Sequence, residues 1–312
     1  MEEKIIMKTD VIFHGIHAGK FRRYFSFQNF IDWFKVPIGF VEALIILIRH
    51  RPKALFSKGG YIAVPVCFAA WALRIPVIIH DSDVVPGLAS KLTGKIATRI
   101  CISWEKSLKF FPNGKAVLTG IPVRDEIWLG SKENGLTFVG GITNELPILL
   151  VVGGSLGASF LNEFVITNIF EFTKKFNIVH LTGDKKEITT AIKTSIGWYK
   201  SFAYVDESYK DLLALSNVIL SRSGATALAE FDVIRKPLVL VPLPISSSRG
   251  DQIDNAEEYA KAHPECRVIE QESITLDKIL GLLLEVVTIH EKKTVFENTA
   301  VMRIVDILSK YC

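Results

Sequence analysis

Residues 151–163 read VVGGSLGASFLNE, and Ile148, Leu149 and Leu150 stand directly before them. An unbroken apolar run enters Gly153, Gly154, Ser155 and Gly157, and helical spacing follows. A strand buried on both faces shows no alternation, so the run reads as an inner parallel strand and the glycines as the tight turn into its covering helix. Glycine lets a ligand approach the backbone closely. The helix start adds free N–H groups and roughly half a positive charge, which together can cradle a phosphate. The turn is not a Walker A loop, which needs GK before Ser or Thr, and it is not GxGxxG. Taken alone, the stretch favours a phosphate-cradling turn, with a tight turn that holds no ligand as the lesser alternative.

The same pattern runs outward in both directions. Apolar runs at 11–14, 54–57, 77–79, 98–102 and 116–119 form one series, and those at 148–152, 178–181, 202–205, 218–220, 238–241 and 267–269 form a second. Helical spacing lies between them, at 62–73, 157–170, 209–215, 225–234, 254–262 and 276–287. This alternation predicts an α/β protein with two doubly wound, Rossmann-like domains and a cleft at the carboxyl ends of the strands. The weakly periodic stretch SKENGLTFVGGITNELP, 131–147, marks the break. The expected domains are 1–143 and 144–295, with 296–312 as a C-terminal segment packing back on the first. A doubly wound domain opens on a strand and a glycine turn. The first ten residues here are charged and helix-like, so the first domain is expected to lack its first βα unit.

The chain has 312 residues, 49% hydrophobic and 22% charged, the balance of a folded protein of about two domains. Cys67, Cys101, Cys266 and Cys312 follow no metal or disulfide spacing, which argues for a reducing compartment and against a zinc knuckle. The net charge of +4 is unevenly divided: residues 1–143 hold 19 basic and 11 acidic side chains, residues 144–312 hold 18 and 22. The first half therefore suits an anionic partner. Neither strongly apolar stretch reads as a membrane span. Residues 60–80 contain Pro65, Arg74 and Pro76, and residues 39–48 are too few and contain Glu42. The opening MEEKIIMKTD is not a signal peptide.

Five further stretches carry polar groups at strand ends. LSRSGATALAE, 220–230, delivers Arg222, Ser223 and Gly224 to a helix start and places Glu230 two turns in. Arginine and serine suit a pyrophosphate, and a carboxylate suits the two hydroxyls of a ribose; a solvated helix face is the plain alternative for Glu230. VPLPISSSRGDQIDNAEEYA, 241–260, brings Asp251, Gln252 and Asn255 to a helix start, where they suit sugar hydroxyls or serve only as an N-capped helix. SKGGYIAVP, 57–65, is a second glycine turn, with Gly59, Gly60 and Tyr61. IIHDSDVVPGLASK, 78–91, sets His80, Asp81 and Asp83 beside a Pro-Gly turn, where a carboxylate is a candidate general base. TGIPVRDEI, 119–127, places Arg124 near the expected junction, where it could steady a phosphate or a helix end.

Together, and in this order, GGSLGA, SRSGATALAE and HDSDVVPG resemble the MurG-type enzymes of glycosyltransferase family 28. That family has the GT-B fold and adds N-acetylglucosamine to lipid-linked muramyl-pentapeptide in peptidoglycan synthesis. The resemblance covers nearly the whole chain. It implies that UDP-N-acetylglucosamine binds the C-terminal domain, with Gly154, Ser155 and Gly157 at the diphosphate and the backbone of Val205 at the uracil. Arg222, Ser223 and Gly224 would line the nucleotide pocket, Glu230 would hold the ribose, and Asp251, Gln252 and Asn255 would read the sugar. Gly59, Gly60, Tyr61, Asp81 and Asp83 would line the acceptor side, with Arg124 at the junction and Asp81 as the candidate base. The reaction would be an inverting displacement with no obligatory metal or other cofactor.

The resemblance further implies an undecaprenyl-pyrophosphoryl acceptor and a peripheral place on the cytoplasmic face of the bacterial plasma membrane. It implies a part in cell-wall biogenesis, cell shape and division, and no nucleic-acid partner. Residues 21–40, FRRYFSFQNFIDWFKVPIGF, interleave Arg22, Arg23 and Lys35 with eight aromatics. A short helix ended by Pro37 would present Phe27, Phe30, Ile31 and Phe34 to anionic headgroups, or pack them on the sheet. Three departures stand out. The family's GGTGGH loop is absent, Leu156 replaces a glutamine of GGSQGA, and His80-Asp81 and Asp251 replace a His-Glu pair and a glutamine. With that loop missing, the chain as given is expected to be a poor transferase that still binds the donor. The alternatives are another UDP-sugar GT-B enzyme, such as a glycolipid transferase or a UDP-N-acetylglucosamine epimerase, or a donor-binding remnant.

Overall fold

The computed structural model describes residues 6, 9–18, 27–142, 144–153, 158–183, 192–193, 197–289 and 298–312, with no side chains described over 27–35 and 192–193. Contacts divide the chain into two units. Unit 1 takes the residues up to Ser82, Pro86–Thr119 and Met302–Cys312; unit 2 takes Asp83–Val85 and Gly120–Val301.

Unit 1 runs α1 (Phe27–His50), β1 (Leu55–Ser57), α2 (Ala63–Ala72), β2 (Val77–Asp81), α3 (Leu88–Ile96), β3 (Arg99–Ile102) and β4 (Ala116–Leu118). Its four strands are parallel, in the order β1-β2-β3-β4. Every residue of β2 is buried, as the unbroken apolar run requires. One face of the sheet, through Ile79, Ile100 and Ile102, packs in the cluster that holds Ala43 and Leu47 of α1 and Cys67, Ala69 and Ala70 of α2. On the other, Ile78 and Cys101 meet Ile304 and Ile307 of α11 (Ala300–Ser309).

Two expectations fail here. Pro37 does not end its helix: α1 continues to His50 with Pro37 inside. An interior proline costs about 3 kcal/mol, and the burial of Gly39, Ala43 and Leu47 offsets that loss. Residues 11–14 form no strand. The segment instead lies on α1, where His17 donates its backbone N–H to Glu42 Oε2 at 2.7 Å and its Nδ1 lies 2.7 Å from Oε1. A β-carbon on Gly39 would sit 1.9 Å from the His17 carbonyl oxygen, so this close approach requires glycine.

Unit 2 runs α4 (Lys132–Val139), β5 (Ile148–Val152), α5 (Ser159–Thr167), α6 (Ile169–Thr173), β6 (Asn177–Leu181), β7 (Ile192–Lys193), β8 (Trp198–Phe202), α7 (Tyr209–Leu215), β9 (Val218–Ser221), α8 (Ala225–Ile234), β10 (Leu238–Leu240), α9 (Asp251–Ala262), β11 (Cys266–Val268) and α10 (Leu276–Val287). The strand order is β11-β10-β9-β5-β6-β8-β7, parallel except for the β7–β8 edge. The strand that ends at Val152 is the middle one, paired with β6 and β9 and buried throughout.

Several bounds differ from the sequence expectation. The expected strand at 202–205 lies earlier, at β8, because Trp198 and Tyr199 supply the buried residues. The helix expected over 157–170 breaks at Asn168, whose Nδ2 donates to the Phe164 carbonyl and closes the turn. Residues 132–139 form α4, capped by Ser131, whose Oγ accepts from the Asn134 N–H at 3.2 Å. Gly135 sits against the Asp211 carbonyl of α7, where a β-carbon would be only 2.6 Å from that oxygen. Residues 120–142 accordingly group with unit 2, and the division falls at Gly120, ahead of the weakly periodic stretch.

Candidate functional site

The expected donor-side residues lie toward the carboxyl ends of the unit 2 strands. Gly154, Ser155 and Gly157 lie outside the described residues. What flanks them is described: β5 leads into Gly153, and Ala158, buried, leads into α5. Val205 follows β8 and is half-buried, with Asp206 beside it exposed. At the end of β9, Ser223 is fully buried, and its Oγ donates to the Gln252 carbonyl at 2.7 Å. Gly224 opens α8, and a β-carbon there would meet nothing within 4 Å. Space at a helix start with free N–H groups is what an anion needs.

Arg222 is not simply aimed at that space. It is 6% exposed, and its Nη1 donates to the carbonyls of Val241 at 2.9 Å and Pro242 at 3.0 Å, while Nη2 donates to Gln271 Oε1 at 2.7 Å. Burial pushes its pKa down to about 10, opposed by the charge of Glu272. Its buried Nε has no hydrogen-bond partner among the described residues. The guanidinium thus holds the strand end together.

Glu230 faces a cluster that the sequence reading did not assemble. Its Oε2 accepts from Tyr209 Oη at 3.3 Å. Burial raises the Glu230 pKa, and Arg124 and the Tyr209 hydrogen bond oppose the rise. Arg124 belongs to this unit and pairs with Asp206 at 3.5 Å. Tyr209 was invisible as a site residue because a tyrosine at a helix start reads as core.

The expected sugar-reading residues are largely engaged. Gln252 Oε1 accepts from the Leu243 N–H at 3.1 Å, and Asp251 Oδ1 accepts from the Arg249 N–H at 3.1 Å. Asn255, fully buried, accepts from the Val84 N–H at 2.9 Å and donates to Asp83 Oδ1 at 3.1 Å. Arg249 Nη2 donates to the other Asp83 oxygen at 3.2 Å. Desolvation raises the Asp83 pKa, the Asn255 bond opposes it, and Asp251 adds to it. Asp83 is therefore grouped with Asn255, Arg249 and Asp251 in unit 2, not with His80 and Asp81.

In unit 1, Gly59 and Gly60 adopt φ of 85° and 82°, and Tyr61 is exposed. His80 and Asp81 end β2 and are buried. Lys58 lies 3.0 Å through its Nζ from His80 Nδ1 and 3.4 Å from Ser82 Oγ. Desolvation lowers the Lys58 pKa, and Asp81 and Cys101 oppose it. A lysine donating to Nδ1 leaves the His80 proton on Nε2. Ser103 Oγ donates to the Asp81 carbonyl at 2.9 Å, fixing the strand end. Lys58 and Ser103 were also missed. Lys58 stands in the quoted glycine turn, but only the pairing of β1 with β2 sets it beside His80.

All four cysteines are free thiols. No group of three or more His, Cys, Asp or Glu able to hold a metal is found among the described residues. No described helix is long and apolar enough to cross a membrane.

The glycosyltransferase family 28 N-terminal domain matches residues 1–102 and the family 28 C-terminal domain matches residues 148–309. The UDP-N-acetylglucosamine--N-acetylmuramyl-(pentapeptide) pyrophosphoryl-undecaprenol N-acetylglucosamine transferase of Clostridium tetani is 40% identical over 100% of this chain and 87% of its own length. Among solved structures, Acinetobacter baumannii MurG superposes with a TM-score of 0.70 at 22% identity, over 99% of this chain and 88% of that one. A Methanocaldococcus jannaschii UDP-GlcNAc 2-epimerase, solved with UDP-GlcNAc and UDP, gives a TM-score of 0.59 at 14% identity, over 88% and 81%. These likenesses show the GT-B fold, two Rossmann-like domains, and at 14% identity nothing of the epimerase's activity. The full-length identity and both domain matches agree with the order of the glycine turns and strand-end motifs, and place the chain in glycosyltransferase family 28.

Proposed function

We propose that this chain transfers N-acetylglucosamine from UDP-N-acetylglucosamine to undecaprenyl-pyrophosphoryl-N-acetylmuramyl-pentapeptide, with inversion at the anomeric carbon. The observation that carries this reading is the 40% identity, along the whole chain, to a relative named for that transfer.

In this reading the turn at Gly154, Ser155 and Gly157 and the open start of α8 at Gly224 take the diphosphate. The backbone at Val205 takes the uracil and Glu230 the ribose, and Asp251 and Gln252 meet the sugar, with Asn255 buried and tied to Val84 and Asp83. The acceptor hydroxyl gives its proton to a base as its oxygen bonds to the anomeric carbon, and the bond from that carbon to the UDP oxygen breaks. Helix N-termini and the positive charge of Arg222 stabilise the charge that develops on UDP, so no metal is obligatory. Asp81 is the candidate base, held at its strand end by Ser103 and drawn electrostatically to Lys58. Gly59, Gly60, Tyr61 and Asp83 serve the acceptor side.

The acceptor is a lipid, and the proposed place of the enzyme is the cytoplasmic face of the plasma membrane, without a span. The side chains of Phe30 and Phe34 lie outside the described set, but the same helix continues with Ile38, Val41, Ile45 and Ile48 exposed at helical spacing. Arg49, Arg51 and Lys53 follow them. An apolar stripe ending in cations suits an anionic headgroup layer.

Turnover tests the reading. Radiolabelled UDP-N-acetylglucosamine and a lipid-pyrophosphoryl muramyl-pentapeptide should yield a labelled disaccharide lipid. Release of free sugar or its 2-epimer in place of that product would refute the reading.

A further inference from the structure

Tyr209 opens α7, four residues beyond Val205, and its side chain is buried. Its hydroxyl donates to Glu230 Oε2 from across the unit, 21 residues away in sequence. Burial and the facing carboxylate hold the phenol well above its usual pKa, so it stays a donor. Arg124 is the other charged group that acts on both, and it favours the ionised form of each. The second carboxylate oxygen of Glu230, Oε1, accepts no hydrogen bond among the described residues and is the one left to a ligand.

We propose that Tyr209 is a positioning residue, one that fixes the Glu230 carboxylate in the orientation that reads a ribose and so makes this site select ribonucleotides over 2′-deoxyribonucleotides. The inference rests on the reading above that Glu230 faces the ribose. A carboxylate on a glutamate has three rotatable bonds, and ordering it on binding costs affinity. One oxygen held by a buried phenol removes that cost in advance. A site built to hydrogen-bond a hydroxyl then rejects an analogue that lacks it. The arrangement also couples the two halves of nucleoside recognition. The segment at Val205 and the phenol that orients Glu230 belong to one short stretch, closed by the Tyr209 N–H donating to the Asp206 carbonyl at 3.1 Å.

The experiment is calorimetric titration of the whole chain with UDP and with 2′-deoxy-UDP, for the unaltered protein, Glu230→Ala and Tyr209→Phe. The unaltered chain should prefer UDP by about tenfold or more. Glu230→Ala should abolish that preference. Tyr209→Phe, which keeps the ring, should cut it about threefold or more while affinity for 2′-deoxy-UDP stays within about twofold. A merely structural tyrosine would weaken both ligands alike, and that result overturns the inference. A preference lost in Glu230→Ala yet intact in Tyr209→Phe also overturns it and spares the ribose reading. A preference that survives Glu230→Ala removes the ribose reading itself, and the inference with it.

Discussion

His180 and Asn162 meet in the core of unit 2, with His180 Nε2 3.0 Å from Asn162 Oδ1. Asn162 spends its amide N–H on the Thr182 carbonyl at 2.8 Å, so its oxygen must accept, and His180 must donate from Nε2. Nδ1 then accepts from Tyr199 Oη at 3.1 Å. This directed chain ties the helix that follows the glycine turn to the end of β6, and it holds a neutral histidine fully buried.

The first prediction follows from that neutrality. Burial pushes the His180 pKa down to about 4 from its usual 6.5. As pH falls through 6.5 the unfolded chain takes up a proton that the folded chain refuses, so stability declines until about pH 4 and is flat below. The full difference is worth about 3 kcal/mol. Urea unfolding between pH 7.5 and 5 should show this decline, and His180→Gln should remove part of it. An identical pH slope in the two proteins would rule it out.

Glu230 gives the second. Its folded pKa is raised by burial, so as pH falls it takes up a proton earlier than an ordinary glutamate does. The ribose reading needs the carboxylate, so UDP affinity should fall on acidification before most surface carboxylates titrate. Titration with UDP at stepwise lower pH measures this, with Glu230→Gln as the pH-insensitive reference, bound weaker by about 1–3 kcal/mol at neutral pH.

Asn255 gives the third. Asn255→Ala would remove the buried amide that bonds the Val84 N–H and one Asp83 oxygen, at a cost of about 1–3 kcal/mol. Amide exchange at Val84 should quicken. Asn255→Asp should destabilise further at neutral pH, where two carboxylates would face each other, and recover on acidification. Unchanged exchange at Val84 in Asn255→Ala would count against the clasp.

The fourth concerns the exposed stripe of α1. The unaltered chain should float with vesicles containing anionic lipid, and Val41→Asn/Ile45→Asn or Arg22→Glu/Arg23→Glu should float markedly less while remaining folded. Equal flotation of all three proteins would place the membrane face elsewhere.

The fold class was legible in the sequence because burial on both faces erases alternation: ILLVV, VIIH and VILS each read as inner strands, and each lies in one. The glycine turn at 59–60 was legible for a similar local reason, since positive φ at Gly59 and Gly60 leaves a residue-type mark. Family membership was legible too, as the order of those marks. What only the tertiary structure decided is which side chains face each other. Tyr209 and Glu230 stand on different helices, and His180 and Asn162 on a strand and a helix. Arg222 looks free in sequence, yet the Val241 and Pro242 carbonyls, just past the adjoining strand, and the Gln271 side chain take three hydrogen bonds from it. Pro37 looks like a helix end, yet packing against α2 carries the helix past it. Periodicity records how deeply a residue is buried, because burial selects residue type one position at a time. A hydrogen bond across elements is selected jointly by two positions, and the chain between them keeps no record of it.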